Sequence, residues 1–309
     1  MGQEDWYMQK FTWAILIAVL SLAGTSVHAV SKEPGTITAT RLVVSDTSFS
    51  HPHDVALSPD GTRLYVADLD NNVVKVLDPN SLKTIGVIGT DDLDSPHDVA
   101  FDFRGRLMVA DSGNDRIVVY QLSGNTGKKI ATFGKGLTSP EGVTPGPDGL
   151  IYAADTGGGT IIAYRNGKPV ITAGENTTRS IDEFTRPHDI EARADGKVFV
   201  VDSGNARIKI LDKNLKLERI LGGPGYDFNE PKYIAFDERG WLWVADEYNN
   251  KVKVFDRQYR LIHTIGTGTA GTGANQLRKP EGVDVKGERI WIADTYNNRI
   301  LLYRLNISP

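Results

Sequence analysis

The sequence predicts an all-β chain, a six-bladed β-propeller whose ring is closed by a strand from the N-terminal end. Three observations predict it. The stretch Pro52-His53-Asp54-Val55-Ala56 returns as Pro96-His97-Asp98-Val99-Ala100 and as Pro187-His188-Asp189-Ile190. Taking the residue after that proline as a marker, His53, His97, Glu141, His188, Lys232 and Glu281 follow at intervals of 44, 44, 47, 44 and 49 residues, by subtraction of their numbers. A second signature, a strand ending in Asp followed by a turn and a new strand, recurs as Val66-Ala67-Asp68, Val109-Ala110-Asp111, Val201-Asp202, Val244-Ala245-Asp246 and Ile292-Ala293-Asp294, with a degenerate copy at Asp155-Thr156-Gly157-Gly158-Gly159-Thr160. A period in the forties built from short strands and turn residues is that of a propeller blade. Six markers make six blades.

The chain starts with an apolar run, residues 11 to 24, too short to span a bilayer comfortably as a helix. Val27-His28-Ala29 then supplies small residues where signal peptidase needs them, so residues 1–29 read as a secretory signal cleaved after Ala29. Glu4 and Asp5 offset Lys10 where a positive start is expected; translation from Met8 removes both acids. The competing reading is an uncleaved anchor, the one case in which a membrane is a partner. Either reading puts the propeller outside the cytoplasm, periplasmic or secreted. Residues 30–36, with Ser31, Pro34 and Gly35, read as a linker, and residues 37–309 as the propeller. Ile37 to Val44 is a β-branched run outside any repeat. The last repeat has strands near Val283–Val285, Arg289–Ala293 and Arg299–Tyr303 and lacks a fourth, which the N-terminal strand can supply, removing the exposed edges of an open array.

Each blade reads as four short antiparallel strands. In the first, Asp54–Leu57 turns at Ser58-Pro59-Asp60-Gly61 into Arg63–Ala67; Val73–Leu77, a turn at Asp78-Pro79-Asn80 and Thr84–Ile88 follow. Trp241, Trp243 and Trp291 lie on strands with an alternating pattern and read as blade-packing residues. The Asp at 68, 111, 155, 202, 246 and 294 recurs in every blade. A residue needed six times caps its hairpin and pairs with the following Asn or Arg; it is not catalytic.

Composition narrows the chemistry. Hydrophobic residues at 40% and charged residues at 24% are ordinary globular values. A net charge of −4 argues against a general nucleic-acid binder, which needs a basic face. With no cysteine, disulfides, thiolate metal sites and cysteine nucleophiles are excluded. The glycine runs lack a following Lys-Ser/Thr, so no phosphate loop, nucleotide or flavin is expected.

A four-stranded meander alternates its turns between the two faces of the disc, so the markers and the turns after the second strands share one face. His53, His97, Glu141, His188, Lys232 and Glu281 are therefore expected around the mouth of the central channel, with Tyr248 and Tyr296 on nearby turns. Three neutral imidazoles converging on an axis are a first shell for Zn²⁺, with calcium as the alternative ion, leaving an open position for water or substrate. On this reading His53, His97 and His188 are the metal ligands, Glu141 or Glu281 adds an oxygen, and Asp54, Asp98 and Asp189 orient the rings. The bland reading, polar side chains lining a wet channel, stands beside it.

The Pro-x-Gly/Asp-Val/Ile-Ala … Val-Ala-Asp-x-x-Asn-x-Arg-Ile pattern resembles the NHL repeat, over roughly residues 48 to 309. That resemblance implies the propeller, and a platform for small-molecule, peptide or protein ligands on the channel-mouth face. The Pro-His-Asp placements are also similar to those of the peptidyl-α-hydroxyglycine α-amidating lyases. That similarity implies zinc on His53, His97 and His188, a tyrosine base at Tyr248 or Tyr296 with Glu141 as the other candidate, and an assisting arginine, for which Arg41 is nearest by order. Two features depart from it: the histidines fall on blades one, two and four, and the tyrosine turns lie in blades five and six. The leading expectation is a binding scaffold with an axial metal site, and the alternative is a metal-dependent lyase.

Overall fold

A computed structural model describes residues 36–174 and 183–308. The leader and most of the linker lie outside the described residues. Six four-stranded antiparallel sheets are arranged as blades. Their innermost strands begin at the marker prolines in five blades, Pro52–Leu57, Pro96–Phe101, Pro140–Pro145, Pro187–Ala192 and Pro231–Phe236, and at Val283–Lys286 in the sixth. The sixth blade takes its outermost strand from the other end of the chain: Ile37–Val44 pairs with Arg299–Ile307, from Ile37 opposite Ile307 to Val44 opposite Leu301. The expected closure is thus present.

The blades are held by six apolar clusters, one at each junction. Trp291, fully buried, sits with Phe49, Val55, Leu64 and Leu302 where blade six meets blade one, and its indole N–H donates to Pro79 O at 2.8 Å. Trp243 occupies the corresponding junction between blades five and six. Rings of this size bury much apolar surface at these two junctions.

The recurring aspartate does what its recurrence implies. In all six blades it is at most 2% exposed. One carboxylate oxygen accepts the backbone N–H of Ser50, Asp94, Thr138, Thr185, Asn229 or Arg278, at 2.5–2.7 Å, so it pins the loop that delivers the marker. The other oxygen takes the Asn three residues on, as Asn71, Asn114, Asn205, Asn249 and Asn297. In the degenerate blade Gly158 replaces that Asn, and a Cβ there would stand 1.9 Å from Asp155 Oδ2.

Neighbouring blades are also joined along the innermost strands. Asp54, Asp98 and Asp189 send their carboxylates to the next blade, accepting from Val99 N at 3.4 Å, Val143 N at 2.5 Å and Ile234 N at 2.7 Å. This corrects the expectation that they orient the histidine rings. Successive strand residues point to opposite sides, so the residue after an axial histidine faces the adjoining blade. Where the same position must let the next blade come closest, it is glycine: a Cβ on Gly142 would lie 2.8 Å from His188 O, and one on Gly282 2.5 Å from His53 O.

Below these clamps a cavity of about 340 Å³ is lined by Asp54, Asp98, Asp189, Glu191 and Asp284 among apolar side chains. Burial pushes all five carboxyls up, Asp98 and Asp284 to about 6 and Glu191 to about 8.

Two outcomes are expected. Gly142→Ala has backbone on the far side of its new methyl, so it should lower unfolding free energy by about 1–3 kcal/mol in a denaturant titration; an unchanged midpoint contradicts the close approach. Glu191, with its folded pKa raised, binds a proton that the unfolded chain releases near pH 4, so its contribution is present below that pH and lost as pH rises to about 8. Glu191→Gln should therefore stabilise the protein at pH 9 relative to pH 4 by on the order of 1–3 kcal/mol, the full shift being discounted because the side chain borders the cavity. Equal effects at the two pH values would contradict it.

Candidate metal centre

The axial site grows from how each marker residue is delivered. The residue before each marker proline has a left-handed backbone although it is never glycine: His51, Ser95, Ser139, Arg186, Glu230 and Lys279 have φ between 47° and 55°. Four of these strained turns are held by the preceding blade. Asn298 accepts from His51 N, Asn72 from Ser95 N, Asp115 from Ser139 N and Asn250 from Lys279 N, at 2.7–3.0 Å. Proline then fixes φ at the first residue of the strand, and the marker side chain points into the channel.

The three histidines do converge. Ring centroids are 4.5 Å apart for His53 and His97, 6.3 Å for His53 and His188, and 6.4 Å for His97 and His188. The set whose ligand atoms all lie within 4.8 Å of one another is His53, His188 and Glu281. His53 Nδ1 is 3.2 Å and His188 Nε2 3.9 Å from Glu281 Oε2. Glu141 approaches the same nitrogen of His188, 3.1 Å from its Nε2, and stands 3.7 Å from His97 Nε2. His97 has its Nδ1 bound to Ser95 O at 2.9 Å, which fixes that nitrogen as the donor and turns Nε2 toward Glu141.

Burial strips His53 and His188 of their affinity for a proton, with the charges of Lys232 and the other histidines acting in the same direction, so both rings are neutral at physiological pH. Burial raises the Glu281 carboxyl to about 8, against the pull of Lys232. His53 Nδ1, His188 Nδ1 and Glu281 Oε2 are buried without hydrogen-bond partners; the 3.2 Å pair is close but misaligned. Buried polar atoms are nearly always satisfied, and each of the three residues whose ligand atoms come within 4.8 Å of one another carries one that is not, which fits a divalent ion. Tetrahedral zinc bonds of 2.0–2.2 Å put ligands about 3.4 Å apart, so the set closes by small rotamer adjustments.

Lys232 borders the same mouth, and Glu281 and Glu141 enter it as expected. Tyr248 and Tyr296 stand on the rim, 49% and 39% exposed, with Lys279 Nζ 4.1 Å and 4.3 Å from their ring centres. Arg41 lies on the outermost strand and donates to Gly273 O, so it does not serve the channel. Tyr233, which the sequence reading passed over, closes the floor. Its ring meets His188 edge-on at 4.8 Å and its hydroxyl lies 3.0 Å from both His97 O and Glu141 O. Its signal was its place: it follows a marker where other blades carry Asp or Gly.

Residues 277–302 match the NHL repeat family profile. SUPPRESSOR OF QUENCHING 1 of Arabidopsis thaliana, a chloroplastic protein, is 26% identical over 255 residues; the match takes in 64% of this chain and 24% of that relative, so the chain spans about a quarter of its length. Among solved structures, a catalytically inactive virginiamycin B lyase from Staphylococcus aureus with quinupristin superposes with a TM-score of 0.61 at 15% identity, covering 87% of this chain and 99% of that one. An auxiliary nutrient binding protein from Bacteroides ovatus gives 0.68 at 13% identity, over 88% and 77%. Hydrazine synthase of Kuenenia stuttgartiensis gives 0.61 at 15%, over 83% and 96%. At these identities the likeness is one of fold. The chain is a six-bladed β-propeller that carries NHL repeat sequence.

Proposed function

We propose that this protein is an exported propeller scaffold that holds one divalent ion, zinc, at the channel mouth and binds a small-molecule or peptide ligand over it. The observation that carries the reading is that His53, His188 and Glu281, whose ligand atoms lie within 4.8 Å of one another, each carry a buried polar atom without a hydrogen-bond partner. His53, His188 and Glu281 would hold the ion, with His97 and Glu141 close enough to complete or adjust the set. Bound there, the ion would supply a Lewis acid facing the open mouth. Export rests on the apolar run and the Val27-His28-Ala29 site.

A metal-dependent lyase is the second reading, favoured by the position of Glu141. It sits between His97 and His188, where a carboxylate can take a proton from a ligand entering the mouth. Tyr248 and Tyr296 would act as the base only if a ligand reaches out to the rim.

Elemental analysis of the purified propeller should find about one equivalent of zinc, and His53→Ala/His188→Ala should lose it. Glu281→Gln keeps the shape and removes the charge, and should weaken zinc at least about tenfold in a competition titration. A parent free of metal after zinc addition, or a double variant that keeps its ion, overturns the site.

A further inference from the structure

Six near-copies of one blade give a background against which departures stand out. At the residue after the capping aspartate, Ser112, Thr156, Ser203 and Thr295 each donate a hydroxyl to the next blade's marker proline, at Pro140 O, Pro187 O, Pro231 O and Pro52 O. Blade five has Glu247 there, only 4% exposed. Its Oε2 lies 3.5 Å from Lys232 Nζ and its Oε1 3.2 Å from Lys279 Nζ. Lys279 in turn stands between the rings of Tyr248 and Tyr296. A continuous row therefore runs from the metal cluster through Lys232, Glu247 and Lys279 to two exposed aromatic rings.

Lys232 is the unexplained member. Its side chain is 14% exposed, yet no hydrogen bond from its ammonium is found among the described residues. Its nearest carboxylate oxygens are at 3.5 Å and, on Glu230, 4.0 Å. An ammonium has three donors and no acceptor, and two long ion pairs leave Lys232 Nζ able to turn a donor toward an oxyanion entering the mouth. Charge points the same way. Around the row, Lys232, Lys279 and Arg186 face Glu247 and Glu230, which leaves one positive charge, while Glu141 and Glu281 would balance a divalent ion.

We propose that the mouth takes a ligand with an oxyanion head and an apolar or aromatic body, the head on Lys232 beside the metal cluster and the body on Tyr248 and Tyr296. This rests on the metal reading above. The single unbalanced charge favours a monoanionic head, a carboxylate over a phosphonate. Glu247 is a positioning residue, holding Lys232 and Lys279 on the same wall.

The test uses the cobalt(II)-loaded protein, whose visible spectrum reports ligands near the ion. The parent and Lys232→Met should take up cobalt equally. Phenylacetate should then bind the parent and bind Lys232→Met at least about tenfold more weakly. Acetate should bind the parent about tenfold more weakly than phenylacetate, and Tyr248→Ala/Tyr296→Ala should erase that advantage. Neutral phenylacetamide should not bind, and phenylphosphonate should bind no better than phenylacetate. Equal binding of phenylacetate to the parent and Lys232→Met, or binding of the amide as well as the acid, overturns the proposal while the metal site stands. Absence of cobalt uptake by the parent removes both.

Discussion

The interaction on which the rest of this structure depends is the bond from one buried carboxylate to one backbone N–H, made six times. Asp68 and its counterparts sit at the end of a second strand and grip the loop that brings in their own blade's marker proline. A buried charge is tolerated because its oxygens are met by a backbone donor and, in five of the blades, by an amide and a lysine or arginine as well. The result is a rigid frame from which the marker side chains are held on the axis within hydrogen-bonding precision.

A frame this regular allows the axial positions to be chemically irregular. His53, His97, Glu141, His188, Lys232 and Glu281 occupy equivalent places, and none of them is needed for blade packing, which is done by the apolar clusters between sheets. Their burial is what gives them unusual properties. The same loss of solvent that keeps His53 and His188 neutral raises Glu281 and leaves three polar atoms without partners. Stability is thereby spent at the axis, and binding of an ion or ligand can recover it.

Much of the site was legible in the sequence because a repeat turns chain position into spatial position. The marker ring, the capping aspartates and the packing tryptophans could be placed from spacing alone. What failed were inferences about direction. Asp54, Asp98 and Asp189 looked like supports for the histidines since they are adjacent in sequence, but strand alternation sends them to the neighbouring blade. Arg41 looked like a mouth residue by chain order, but its strand is the outermost of its blade. Tyr233 and Glu247 were passed over because each appears once, at positions where the other blades carry different residues.

The sequence by itself determined the number of blades, the closing strand and which residues line the axis, because each follows from a period and an alternation that are local properties of the chain. Only the tertiary structure decided which of those residues share a ligand-sized space. His53 and His188 are 135 residues apart by subtraction and belong to blades that do not touch in sequence, yet they come together with Glu281 rather than forming a set of histidines alone. That choice depends on side-chain rotation within a crowded channel, fixed for His97 by Ser95 O and for His188 by the ring of Tyr233, and no spacing rule encodes it.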